Sequence, residues 1–272
     1  MATSSPDFEP TAAALERVFG LKVKDLAKAG WGPRIARRFD YYTPDDHYEA
    51  LMLRLVSDGM AWLDVGCGRA IFPSNPDLAR LLANRVRVLV GIDPDETLEE
   101  NEFVHERVRM PIETFDGQQR FDLVSLRMVA EHVTDPDAVL TSLARALKPG
   151  GLAVIYTVNR LSPVPLITRF TPFAFHHFAK RVLWGTQPKD TFPTAFRMNS
   201  PRRLRTLFHQ HGFSKTSCVR LDDCRTLSGF RLGFTMELLA WRGLRAAGLG
   251  YPEACLLSVY RRKASSRARL SA

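Results

Sequence analysis

Trp62-Leu63-Asp64-Val65-Gly66-Cys67-Gly68-Arg69-Ala70 is an apolar run that breaks at two glycines one residue apart. An apolar run ending in glycine reads as a buried parallel strand feeding a tight turn. Glycine allows positive φ, and without a Cβ it lets a ligand lie against the backbone. The dinucleotide-binding turn G-x-G-x-x-G requires a small residue at position 71. Ile71 stands there, so a pyrophosphate cofactor fits poorly.

Downstream, residues 87–93 form a second apolar run that ends in Asp93 before Pro94. An acid at that strand end is placed to accept hydrogen bonds from both hydroxyls of a ribose, or to cap the next helix. Residues 104–112 are read as a third strand and 121–126 as a fourth, followed by Arg127-Met128-Val129-Ala130-Glu131-His132-Val133. Asp135-Pro136 then starts a helix with Val139, Leu143 and Leu147 on its buried stripe. It stops at Lys148-Pro149-Gly150-Gly151, and 152–158 is a fifth strand.

These segments resemble the class I S-adenosylmethionine (SAM) methyltransferases, whose glycine turn reads D/E-x-G-x-G-x-G. Here it is Asp64 to Gly68 with Ala70 in place of the third glycine. The resemblance covers about residues 60–160, and its core is similar to the ubiquinone-pathway methyltransferases. It implies an α/β, Rossmann-like, seven-stranded sheet, mostly parallel with an antiparallel last strand and helices on both faces. The cofactor implied is SAM, held by Asp64, Gly66, Cys67, Gly68, Asp93, Ile112, Arg127 and Tyr42. Some members bind a metal on Glu-x-x-Glu-His at residues 128–132. Met128 replaces the first Glu, so no metal is expected, and Glu131 and His132 are read as hydrogen-bonding groups that hold the turn.

The remaining chain reads as one domain of 1–272: a helical cap (1–58), the SAM-binding core (59–160), an inserted lid (161–198), the rest of the sheet (199–263) and a basic tail (264–272). Within the cap, helices are expected at 11–19, 22–29 and 47–57, the last capped by Thr43-Pro44. Tyr41, Tyr42 and Tyr48 either close the cofactor site or pack the cap onto the sheet. A further helix is expected near 77–83. Beyond the lid, a helix resumes after the cap Asn199-Ser200-Pro201 and runs to Gly212, strands lie at 216–221 and 255–261, and a helix covers 233–247.

The lid carries seven aromatic rings around His176 and His177. An insertion after the fifth strand begins at the carboxyl rim of the sheet, where ligands bind in such folds. The two histidines are therefore candidate catalytic bases, since imidazole titrates near working pH. Alternatively the segment packs into the core or contacts a membrane surface.

Composition bounds the class. The chain has 272 residues with net charge +9, 45% hydrophobic and 25% charged residues, and a pI near 9.7. That basicity favours acidic partners, but the N-P-P-Y box and the Pro-Cys nucleophile of nucleic-acid methyltransferases are both missing. A small-molecule, lipid-linked or sugar-containing acceptor is expected instead, modified at N, O, S or C. Four cysteines without paired spacing, and no leader or apolar run of spanning length, point to a cytoplasmic protein.

Overall fold

The structure is a computed structural model that describes residues 8–170 and 194–264. Its sheet has seven strands in the order β3-β2-β1-β4-β5-β7-β6. They are β1 (Ala61–Val65), β2 (Val88–Ile92), β3 (Glu106–Val108), β4 (Phe121–Arg127), β5 (Leu147–Val158), β6 (Phe213–Asp222) and β7 (Ala254–Arg262). The first five pair in parallel, and β7 runs antiparallel between β5 and β6. Every residue of β1 and β2 is buried, which is why both strands are continuous apolar runs rather than alternating ones.

Two layers of helix cover the sheet. On one face α1 (Ala12–Val23), α3 (Pro44–Leu55) and α4 (Pro76–Arg85) pack Val18, Leu51, Met52, Leu78 and Leu82 onto Trp62, Leu89 and Leu123. On the other, α5 (Pro136–Ala146) and α7 (Pro201–Gln210) cover Leu63, Val90, Val124 and Ile155. The helix α6 (Pro163–Phe170) opens the insertion. A third, smaller cluster joins α2 (Trp31–Arg38) to α8 (Arg231–Ala246) through Ala36, Tyr41, Phe234, Leu238 and Trp241.

Local chemistry explains most helix ends. Thr43 accepts from the Asp46 amide at 3.2 Å while Asp46 accepts from the Thr43 amide at 2.8 Å, a reciprocal box that fixes the start of α3 with Pro44 in its first turn. Asn75 and Asp135 cap α4 and α5 with one-way side-chain bonds, Asn75 accepting from the Leu78 amide and Asp135 from those of Asp137 and Ala138, each followed by proline. Asp46 has a second role. Lys22 of α1 reaches its carboxylate at 2.6 Å and Glu49 at 3.1 Å, and the Asn75 amide donates to Glu49 at 2.8 Å. This buried polar knot ties α1, α3 and α4 together. Burial pushes the Glu49 carboxyl up to about 7. Burial also works to lower the Lys22 ammonium, but its two carboxylate partners outweigh that and raise it.

The structure corrects two sequence expectations and adds one helix. The cap has one continuous helix over 12–23 in place of separate helices at 11–19 and 22–29; it ends where Lys24 turns to φ 58°. The next helix lies at 31–38, held by tertiary contacts of Trp31, Ile35 and Phe39 rather than by a legible apolar stripe. The strand expected over 104–112 is only three residues long, because the chain turns at Met110 and enters a short 3-10 turn at Ile112–Thr114.

Removing the Thr43 hydroxyl tests the cap. Thr43→Ala should lower unfolding stability by ~1 kcal/mol. In urea denaturation this appears as a lower midpoint with an unchanged slope.

Candidate functional site

The carboxyl ends of β1 and β2 lie side by side, with Val65 opposite Ile92. The chain leaves β1 through Gly66 at φ 69°, whose amide donates to the Ile92 carbonyl at 2.8 Å. A Cβ at Gly66 would lie 2.3 Å from Val129 Cγ2, so no other residue fits without displacing Val129. Gly68 follows at φ 44° and has open space beside it: a Cβ there would meet only Thr97 Oγ1, at 3.9 Å. The turn thus offers bare backbone to a ligand.

Asp93 stands across from this backbone. Its Oδ2 accepts from the Gly68 amide at 3.0 Å, and its Oδ1 accepts from the Asp95 amide at 2.9 Å. A carboxylate has about four acceptor positions, so each oxygen keeps one for a ligand hydroxyl. From behind, the buried Asn101 donates to the Gly68 carbonyl at 3.0 Å and to that of Cys67 at 3.5 Å. The Cys67 side chain points inward, where a Cβ on Gly91 would come within 2.6 Å of its sulfur. Burial pushes that thiol well above its ordinary range, so Cys67 offers a ligand its backbone only.

Beside the turn is an apolar slot of about 210 Å³. Gly66, Ile92 and Pro94 form one side, Met110 to Glu113 another, and Val129, His132 and Val133 the third. The premature end of β3 creates this slot, because the chain turns over the sheet edge and presents Ile112. The arrangement can sandwich a flat heterocycle while Asp93 takes an attached polar group.

Asp64 lies beneath the turn and is 2% exposed. It accepts from Ser125 Oγ at 2.5 Å, and Ser125 in turn accepts from Trp62 Nε1 at 2.6 Å. Burial pushes the Asp64 carboxyl up to about 7, against the opposing pull of Ser125 and Arg127. Arg127, at the end of β4, lies 3.5 Å from Asp45 at the head of α3. Asp45 is also paired with Arg225, which grips Asp223 at 2.6 and 2.7 Å. These charges line the rim where β4, β6 and the cap meet. Met128 follows at φ 55°, an unusual backbone for a residue with a side chain, and donates to the Tyr156 carbonyl at 2.8 Å.

Glu131 is buried and accepts from Thr157 Oγ1 at 2.7 Å, while its carbonyl accepts from the amides of Ala195 and Phe196. It therefore fastens the far end of the insertion to β5. Among the described residues no group of three or more His, Cys, Asp or Glu is arranged to hold a metal ion.

The structure brings together Asp64, Gly66, Gly68, Asp93 and Ile112, with Arg127 at the adjoining strand end. Tyr42 lies elsewhere. Its ring meets Phe19 edge-on at 6.0 Å, its hydroxyl accepts from Arg37 at 2.9 Å, and it lines a separate cavity of about 450 Å³ with Tyr41, His47, Asp222 and Trp241. His176 and His177 lie outside the described residues. Sequence reasoning missed Asn101, Ser125 and Val129. None sits in a recognisable spacing, and each acts through a contact across the sheet.

Residues 35–217 match the profile of a family described as "Methyltransferase domain". Curated relatives include a ubiquinone biosynthesis O-methyltransferase of Bradyrhizobium sp. (strain ORS 278), 34% identical over 140 residues, which cover 46% of this chain and 53% of that protein. Another of that name, from Coxiella burnetii (strain Dugway 5J108-111), is 26% identical over 148 residues, covering 51% and 61%. The chain thus spans little more than half the length of these relatives. A solved S-adenosylmethionine-dependent methyltransferase from Mesorhizobium loti superposes with a TM-score of 0.52 at 18% identity, covering 82% of this chain and 100% of that one. With the seven-stranded order and the glycine turn already described, the chain belongs to the methyltransferase-domain family.

Proposed function

We propose that this chain transfers a methyl group from SAM to a small-molecule acceptor, and that the glycine turn, Asp93 and the Ile112 slot hold the cofactor. The observation that carries this reading is the continuity of the two halves at Gly66: bare backbone and a half-free carboxylate on one side, an apolar slot on the other. A nucleoside joined to an amino acid matches both. Asp93 would accept from the ribose hydroxyls, Ile112 and Val129 would flank the adenine, and the amino-acid part would lie along Gly68 towards Asp64 and Arg127.

Bound there, SAM supplies a methyl carbon already activated by the sulfonium charge. The chain's own task is then to align an acceptor behind that carbon and to exclude water. The rim of β4, β6 and the cap is the proposed acceptor side. A hydroxyl acceptor is favoured, because the curated relatives are named O-methyltransferases. His176 and His177 remain the proposed source of a base for its proton. The direct test is radiolabelled methyl transfer from SAM into fractionated small metabolites, with product mass identifying the acceptor. No labelled product from any fraction, together with no heat of SAM binding, would sink the proposal.

Two expected outcomes follow for the cofactor site. Gly66→Ala should push Val129 into the slot, and Asp93→Ala should remove the acceptor of the ribose hydroxyls. Both should weaken SAM in calorimetric titration, Asp93→Ala by about tenfold or more, corresponding to ~1–3 kcal/mol for hydrogen bonds left unmade. Unchanged affinity in both folded variants would reject the assignment.

A pH dependence follows from Asp64. Its folded pKa of about 7 lies above the ordinary value, so the folded state holds a proton that the unfolded chain has released. Stability should therefore fall as pH rises from about 4 to about 7, by at most ~1.4 kcal/mol per pH unit for this group. Asp64→Asn keeps an acceptor for Ser125 and should flatten that decline in urea titrations at pH 5, 6 and 7. An identical slope in wild type and variant would contradict the burial argument.

A further inference from the structure

Helix α8 is apolar on two opposite faces. At about 100° per residue, Phe234, Leu238 and Trp241 fall on the face that packs against α2. Leu232, Met236 and Leu239 fall on the opposite face and are 74%, 60% and 56% exposed. Phe230 at its start and Leu249 beyond its end are exposed as well. Nothing among the described residues covers this stripe, and single exposed leucines are ordinary whereas an aligned set is not.

The charge around it is one-sided. Between residues 225 and 252 Glu237 is the single carboxylate. It is buried, and accepts from the amides of Thr226 and Leu227 at 3.1 and 2.8 Å and from the Tyr251 hydroxyl at 2.9 Å. The exposed charges of α8 are Arg231, Arg242 and Arg245, the last stacked 4.9 Å from the Trp241 ring. An apolar stripe with a cationic flank and no exposed acid on its own helix suits the surface of an anionic bilayer. A second copy of the chain fits less well. A helix of 16 residues is about 24 Å long and about 10 Å wide, a footprint far below the ~800 Å² per partner of a stable interface.

We propose that the outer face of α8 seats this protein in the plane of an anionic membrane surface. The helix is not a span: no helix among the described residues is long and apolar enough to cross a bilayer. Its place in the fold gives the contact a use. It lies in the connection between β6 and β7, which pair at Asp222 and Ala254 beside the carboxyl end of β5. The seated face is therefore on the same rim as the candidate site.

The test is co-sedimentation of the full chain with vesicles, which needs no knowledge of the acceptor or of SAM. Wild type should sediment with 70:30 phosphatidylcholine:phosphatidylglycerol vesicles and at least tenfold more weakly with pure phosphatidylcholine. The triple variant Leu232→Ser, Met236→Ser, Leu239→Ser should lose at least tenfold on the anionic vesicles, with its circular dichroism unchanged. Arg231→Gln with Arg242→Gln should lose binding in proportion to the anionic lipid. Leu239→Trp keeps the face apolar, so it should bind like wild type and add an emission quenched by brominated lipid. Three results would each overturn the proposal: failure of wild type to sediment, unchanged binding by the triple variant, or no quenching beyond that of wild type in the Leu239→Trp variant. So would a wild-type dimer that the triple variant converts to monomer without any vesicle binding.

Discussion

Val129 fills the space that a side chain at Gly66 would need, and the geometry of the site depends on that close approach. With 2.3 Å between its Cγ2 and a notional Cβ, the end of β1 and the segment after β4 touch only because position 66 has no side chain. The contact closes one wall of the apolar slot and leaves Gly68 facing open space. Asp93 and Asn101 then hold the turn from opposite sides through its amide and its carbonyls. Backbone held this way is ordered before a ligand arrives, so binding does not have to freeze it.

A second constraint is electrostatic. The carboxyl rim gathers Asp64, Asp93, Arg127, Asp45, Arg225 and Asp223 within a region where burial makes an unpaired charge costly. The two arginines each meet a carboxylate, and Asp93 is satisfied by amides. Asp64 is buried, and burial pushes its carboxyl up against the opposing hydrogen bond from Ser125. A group left in that condition responds to any charge brought close to it.

Apolar runs, prolines and glycines carried most of the fold in the sequence. The strands of the core and the caps at Thr43, Asp135 and Ser200 rest on local chemistry and were legible from it. The first cap helix runs straight through Gly20, so a residue that looks like a break was a poor guide. The helix at 31–38 has a single buried residue, Ala36, and depends on partners about 200 positions away. The turn from Asp64 to Gly68 and the acid at 93 were visible because backbone needs leave a spacing. Asn101, Ser125 and Val129 were not, because each works across strands that the sequence does not order. Tyr42 was drawn to the site by its place before α3, but Arg37 and Phe19 hold it within the cap.

The additions to the core converge on one rim. The cap precedes β1, the insertion follows β5, and α8 interrupts the connection from β6 to β7; the head of α3, the start of the insertion and the ends of that connection adjoin the carboxyl ends of the strands. They are also cross-linked there. The Tyr41 hydroxyl accepts from the Cys224 amide at 2.8 Å, and its ring meets Trp241 edge-on at 5.2 Å, so the cap and α8 share one small core. Asp45 completes the link by bridging Arg127 of the sheet and Arg225 of the connection. The connection that carries α8, the head of α3 and the end of β4 are thus joined by ion pairs as well as by ring packing.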